Sequence, residues 1–351
     1  MATFGVRRLA KRFSIIVLPD ERRVHERPTP TVGGAAMYIG LLASMVVASQ
    51  LPGLSGLFRG SSDPLGLVLG ASAIFAVGMV DDVRDMSAPA KLSGQLLAGM
   101  VLYLFGINML YFRTPFAGTV VLSADLIPIL TVIWVVGMAN AVNLVDGLDG
   151  LAAGIVAIAA AAFFFYSHQL IGSGTIQPGS GPLFSAIVVG ICVGFLPHNF
   201  HPAKIFMGDA GALMLGLLMA ASTMSVVGQT DQDFSGRTFF FFAPVLIPFL
   251  ILGIPILDTA FAIIRRAGRR ASISEADKSH LHHRLMRLGH GQTRSVLILW
   301  AWTALLSGLV LAPSYVKGGL TIVPFGIAAL AVALYTLFGV RGRAQTPAEK
   351  A

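Results

Sequence analysis

Between Gly150 and Ala203 the chain contains no Asp, Glu, Lys or Arg. That length is too great for one core helix of a soluble domain. It is sufficient for two crossings of a bilayer, because a helix rising 1.5 Å per residue needs about 20 apolar residues to span the hydrocarbon core. The breaker cluster Gln177-Pro-Gly-Ser-Gly-Pro182 divides it into two helices. Composition agrees: 55% of the 351 residues are apolar and 12% are charged, far from the balance of a soluble domain. Glycines inside the apolar stretches suit helices that approach closely in a membrane. The single cysteine, Cys192, lies in such a stretch and has no disulfide partner.

The same criterion marks about ten spans along the chain. They run Gly34 to Phe58, Pro64 to Val80, Leu92 to Phe112, Val121 to Met138, Leu151 to Leu170, Leu183 to Pro197, Ala210 to Gly228, Phe239 to Leu257, Ser295 to Pro313 and Gly318 to Val340. The expected fold is all-α, a polytopic helical bundle. Its parts are a basic lead-in loop over 1–33, a transmembrane catalytic domain over 34–340 and a tail over 341–351. Loops around 81–91, 140–150, 198–209 and 263–294 share one side.

Charge orients the bundle. One side receives Arg7 to Arg27, Arg84 to Lys91, Lys204, Arg265 to Arg294 and Arg341 to Lys350, and the other receives Arg59, Arg113, Arg237 and Lys317. The positive-inside rule makes the first side cytoplasmic, with both chain ends inside. Clustering around the spans explains the net charge of +8 without nucleic acid as a partner. The first residues, basic and polar, lack the apolar core of a cleavable signal peptide.

Four polar clusters fall on the cytoplasmic side. Val80-Asp-Asp-Val-Arg-Asp-Met86 ends the second span, and Lys91 begins the third. Three carboxylates this close repel one another unless a cation sits among them, although a solvated acidic turn is the plainer reading. Asn140-Ala-Val-Asn-Leu-Val-Asp-Gly-Leu-Asp-Gly150 ends the fourth span. Continued helix would place Asn140, Asn143 and Asp146 on one face, more polar groups than a helix cap requires.

The third cluster is Asn199-Phe-His-Pro-Ala-Lys-Ile-Phe-Met-Gly-Asp209. Asp209 can serve as an N-cap or hold Mg2+ against a diphosphate, with Lys204 and helix-terminal amides balancing phosphate charge. Phe206 can stack on a nucleobase or anchor at the interface. The fourth cluster, Ser279-His-Leu-His-His-Arg284, lies in the long basic loop. Its spacing fits no standard zinc site. Imidazoles beside Arg284 suit hydrogen bonding to phosphate or sugar oxygens, whereas a basic segment attracted to anionic lipid explains the arginines better than the histidines.

In this order the four clusters resemble the polyprenyl-phosphate N-acetylhexosamine-1-phosphate transferase family, from about Pro19 to the final spans. Pro19-Asp-Glu-Arg-Arg-Val-His-Glu-Arg-Pro-Thr-Pro-Thr-Val-Gly-Gly34 also resembles that family's basic lead-in loop. The resemblance implies attack by a lipid phosphate on the β-phosphorus of a UDP-sugar, releasing UMP, with Mg2+ as cofactor and Mn2+ as a substitute. It implies Asp209 as the metal ligand, Asn199 and Phe206 as uridine contacts, and Asp81 as the residue meeting the lipid phosphate. Asp82, Lys91, Asn143, Asp146, His280, His282 and His283 would complete the site, with Asn140, Lys204 and Arg284 binding substrate.

His-Leu-His-His-Arg after Ala276-Asp-Lys-Ser is similar to the N-acetylglucosamine-1-phosphate branch. The phospho-N-acetylmuramoyl-pentapeptide branch, with an uninterrupted histidine triplet, ranks second. That resemblance implies eleven spans with the first one missing here, a bacterial plasma-membrane location, a UDP-sugar and a polyprenyl phosphate as partners, and a role in cell-wall biogenesis. A homodimer stays open. A secondary transporter is the rival from another class, but transporters place ionisable residues near the midplane, and these spans lack Asp, Glu, Lys and Arg away from their ends.

Overall fold

The computed structural model describes residues 2–12, 29–114, 118–174, 176–227, 291–315 and 322–338. Helices α1 (Ala2–Arg12), α2 (Gly33–Gln50), α3 (Ser55–Gly60), α4 (Asp63–Arg84) and α5 (Ala88–Leu104) lead to strands β1 (Tyr111–Thr114) and β2 (Gly118–Val121). Then come α6 (Leu126–Val145), α7 (Leu151–Gly172), α8 (Gly181–Asn199), α9 (Gly208–Val227), α10 (Gln292–Tyr315) and α11 (Ile322–Phe338). Pro64, Pro89 and Pro182 stand in the first turns of α4, α5 and α8. There a missing N–H costs nothing and a fixed φ favours the helix.

Among the described residues, α2, α4, α6, α7, α8 and α9 are long and apolar enough to cross a membrane, six helices in all. The chain is a polytopic membrane protein. The expected count of about ten is not reached by that measure: α5 and α11 have 17 residues each. The expected span Phe239 to Leu257 lies outside the described residues, as do the loop from Arg265, the segment 13–28 and the tail.

Helix α9 is the axis of the bundle. It packs against α2, α4, α6 and α8, and 89% of its span is buried, as expected of a helix apolar all round. Leu213, Met214, Leu217 and Leu218 are fully enclosed, whereas Val47, Leu97, Leu104 and Ile133 on the outer helices face outward, where lipid replaces water. Small residues set the spacing. A Cβ at Gly78 would overlap the Ala210 backbone, one at Gly34 would overlap Gly211, and one at Gly216 would overlap Ala139, so α4, α2 and α6 approach α9 to backbone contact. Some polar groups pair between helices: Trp134 Nε1 donates to Thr223 Oγ1 at 3.0 Å, and the Tyr38 and Ser72 hydroxyls share a bond of 2.6 Å.

Three expectations change. The third span stops at Leu104 rather than Phe112, and an antiparallel hairpin follows, with Tyr111 opposite Val121 and Thr114 opposite Gly118. The described fold is helical, as expected, apart from that two-stranded hairpin. Mean hydropathy does not separate a short apolar strand from a helix, but the aromatic and β-branched residues of this stretch suit a pleated ribbon.

The fourth span runs Leu126–Val145 rather than Val121 to Met138. It extends past Met138 because α5 and α9 supply partners for Asn140 and Asn143. The lead-in segment contains α1, whose Thr3 and Ala10 are buried and whose Val6 packs on the core. Residues 81–84, 140–145 and 198–199, expected in loops, are helix ends.

Candidate active site

Successive helices alternate in direction, so the C-terminal ends of α4, α6 and α8 meet the N-terminal ends of α5, α7 and α9 at one end of the bundle. The contacts there begin with α4. Asp81 Oδ1 accepts the Met86 N–H at 2.7 Å, and its Oδ2 accepts from Lys91 Nζ at 2.9 Å. Asp85, at φ 31°, makes the turn that leads from α4 to that Met86 N–H. Lys91 Nζ also donates to Asp209 Oδ2. One ammonium thus joins the first carboxylate of the Asp-Asp pair to the first turn of α9.

Asp82 has a different task. Its Oδ1 accepts the Asp209 N–H at 2.8 Å and its Oδ2 accepts the Ala210 N–H at 3.1 Å. These N–H groups lack partners within their own helix, and a carboxylate there also meets the positive end of the helix dipole. Gly208 allows the approach: it sits at φ +68°, and a Cβ would overlap both the Asp82 carboxylate and Thr31 O.

From α6, Asn143 Nδ2 donates to Asp209 Oδ2 at 3.4 Å. Asn140 is turned elsewhere. Its Nδ2 donates to Gln95 Oε1 at 2.6 Å, and Gln95 Nε2 donates back to Asn140 Oδ1 at 3.3 Å, locking α5 to α6. Asp146 follows the last turn of α6. Burial pushes its carboxyl up to about 7, and the negative charges of Asp82 and Asp149 add to the effect.

A second group of bonds joins the loop before α7 to the segment before α9. Asn199, 2% exposed, accepts the Gly150 N–H at 3.1 Å and donates to Ile205 O at 3.0 Å. Both ends of its amide are therefore engaged within the protein. Asp149 Oδ2 accepts the Ala203 N–H at 3.0 Å and pairs with His201 Nδ1 at 2.8 Å. Phe206 is fixed through its backbone, its N–H on Pro30 O at 2.8 Å and its C=O accepting the Gly33 N–H at 2.9 Å. Lys204 is exposed and held by its N–H on His198 O at 2.8 Å.

Asp81, Lys91, Asn143 and Asp209 are thus brought into direct contact, Asp82 adjoins them through backbone, and Asp146 lies within electrostatic reach of Asp82. Asn140 is not part of that contact set. His280, His282, His283 and Arg284 lie outside the described residues. Asp149, His201 and Gln95 were missed individually. Asp149 and His201 stand inside the quoted motifs, but nothing in their spacing announces that they pair.

Among the described residues, no three His, Cys, Asp or Glu side chains converge as a ready metal cage. Mg2+ does not need one, since it usually takes one or two carboxylates and completes its shell with water and substrate phosphate. The donor set fits: oxygen ligands on Asp209, Asn143 and Asp146, in a site where the Lys91 ammonium contacts two carboxylates, Asp81 and Asp209, and Asp82 and Asp149 add negative charge beside Asp146.

Residues 64–227 match the model of glycosyl transferase family 4. Over 99% of this chain and 87% of its own length, the decaprenyl-phosphate N-acetylglucosaminephosphotransferase of Mycolicibacterium smegmatis is 37% identical. The protein of the same name from Mycobacterium tuberculosis is 40% identical over 87% of this chain and 77% of its own length. The chain belongs to glycosyl transferase family 4. For this family 4 chain, the matched stretch contains every contact just described except those of Pro30, Thr31 and Gly33, and it ends where α9 ends.

Proposed function

We infer that this chain transfers N-acetylglucosamine 1-phosphate from UDP-GlcNAc to a polyprenyl phosphate at the cytoplasmic face of a bacterial plasma membrane. The products are polyprenyl-diphosphate-GlcNAc and UMP. One observation carries the reading: Lys91 is held between Asp81 and Asp209 at the N-terminus of the central helix, in a chain that aligns along nearly its whole length with a decaprenyl-phosphate N-acetylglucosaminephosphotransferase.

The chemistry asks little of a general base. A phosphate monoester with a second pKa near 6 is already largely dianionic at neutral pH. Its oxygen attacks the β-phosphorus, and the bond from that phosphorus to the oxygen of UMP breaks, with in-line positioning and charge compensation providing most of the acceleration. Lys91 lowers the repulsion between an incoming lipid phosphate and Asp81. The positive end of the α9 dipole favours phosphate oxygens in the same place. Asp209, Asn143 and Asp146 would hold Mg2+, or Mn2+ in its place, and the bound cation would neutralise diphosphate charge. Asp82 acts through α9, which it caps, and Asn199 acts through the backbone that presents Phe206 to the uridine. Lys204, Arg284 and the three histidines His280, His282 and His283 are assigned to the substrate phosphates and sugar.

The test supplies UDP-GlcNAc, polyprenyl phosphate and Mg2+ to detergent-purified protein and follows UMP. Release is expected with UDP-GlcNAc in preference to UDP-MurNAc-pentapeptide or UDP-GalNAc, and Asp209→Ala should abolish it. Folded protein that releases no more UMP than Asp209→Ala would end the enzyme reading.

A further inference from the structure

We propose that His201 is a positioning residue for the nucleotide side of the site, acting through its bond to the buried carboxylate of Asp149. The proposal rests on the transferase reading above and adds to it a residue and a division of labour. His201 Nδ1 lies 2.8 Å from Asp149 Oδ2. The same oxygen accepts the Ala203 N–H at 3.0 Å, which makes Oδ2 the acceptor and Nδ1 the donor. Asp149 is 4% exposed, while the His201 side chain is 40% exposed. The imidazole therefore closes the rim of a carboxylate that the fold has removed from water.

The connections of that carboxylate locate the consequence. Asp149 closes the loop that begins at Asp146, and Gly150, next in sequence, donates to Asn199. Asn199 in turn holds Ile205 O, beside Phe206. Two side-chain to backbone bonds and one His–Asp bond thus clamp the 146–150 loop to the 199–206 segment, and the Asn199–Ile205 bond stiffens that segment internally. His201 and Asp149 bond to the 199–206 segment, whereas Asp81, Lys91 and Asp82 are joined to one another's helices in a group on α4, α5 and α9. A defect at His201 should reach the nucleotide and leave the lipid-phosphate side intact.

The geometry also selects the substitutions. The amide of Asn can place its N–H2 where Nδ1 stands, whereas the longer Gln places its amide where Nε2 stands, and Phe keeps the ring without a donor. Full-length protein in detergent is compared as wild type, His201→Asn, His201→Gln and His201→Phe. The readouts are calorimetric titration with UMP, KM for each substrate, and thermal midpoint. Asn should bind UMP like wild type. Gln and Phe should bind it about tenfold more weakly and raise KM for UDP-GlcNAc by a similar factor, the loss of one hydrogen bond to a charged group, with KM for polyprenyl phosphate unchanged.

Wild-type behaviour in all three variants would overturn the proposal. So would an Asn variant as impaired as Phe, or equal changes in both KM values. If Phe fails to fold, the Asn and Gln pair still decides. Wild-type protein that neither binds UMP nor releases it would overturn the transferase reading itself, whereas active wild type with indifferent variants removes only the role of His201.

Discussion

Asp82 caps the central helix by accepting the N–H groups of Asp209 and Ala210 at 2.8 and 3.1 Å, one on each carboxylate oxygen. The second Asp of the Asp-Asp pair is therefore spent on orienting Asp209, while the first, Asp81, faces Lys91. Neighbouring and chemically identical side chains differ in role because consecutive helical residues point about 100° apart.

Replacing Asp82 by Ala removes both acceptors from the start of α9. Loss of a helix cap costs about 1–2 kcal/mol, so the thermal midpoint in detergent should fall, and turnover should fall with it as Asp209 loses its orientation. Asp82→Asn, which retains one acceptor oxygen, should lie between wild type and Ala in midpoint. Equal midpoints for all three would remove the capping role.

Lys91 competes with any cation for Asp209, since its ammonium already contacts that carboxylate. Lys91→Met should bind Mn2+ more tightly than wild type when no substrate is present, as read by electron paramagnetic resonance. It should nonetheless turn over about 100-fold more slowly, because a preorganised positive charge is gone from the site. Unchanged Mn2+ affinity would mean that the ammonium does not screen Asp209 in solution.

Gly34 and Gly78 are places where helices meet backbone to backbone, against Gly211 and Ala210. Ala at either position should displace α9 and destabilise the protein by about 1–3 kcal/mol, the usual cost of overpacking. Gly40→Ala on the same helix as Gly34 is the control, its nearest neighbour being 3.7 Å from the added methyl. Thermal midpoints should separate the two sites from the control.

Asp146 predicts a pH dependence in metal-free protein. Its carboxyl is raised from 3.8 to about 7, by burial first and then by the charges of Asp82 and Asp149. The folded state therefore holds a proton that the unfolded chain releases at lower pH. The stabilising contribution is complete below about pH 4 and is lost as pH rises through about 7. Thermal midpoints of wild type should decline across that window relative to Asp146→Asn, which has no such proton. Parallel pH curves for the two proteins would contradict the assignment.

The membrane class was legible because it needs only composition and run length: a stretch without Asp, Glu, Lys or Arg from Gly150 to Ala203 has few folds open to it. The first three polar clusters were legible as well, since ionisable residues at span ends stand out against an apolar chain; the fourth, Ser279 to Arg284, lies outside the described residues. The hairpin at Tyr111–Thr114 and Gly118–Val121 was hidden, because average hydropathy does not register period two in so short a run.

Sequence by itself determined the solvent of this protein, the approximate places where the chain crosses it and the residue types gathered at one end. Tertiary structure alone decided which of those residues meet. Asn140 lies three positions before Asn143, yet one pairs with Gln95 and the other with Asp209. Asp149 finds His201 across 52 positions of sequence. These choices follow from which helices pack together and at what rotation, set by glycine contacts such as Gly78 on Ala210. Spacing along one helix records the face on which a side chain lies, but only the neighbouring helix supplies its partner.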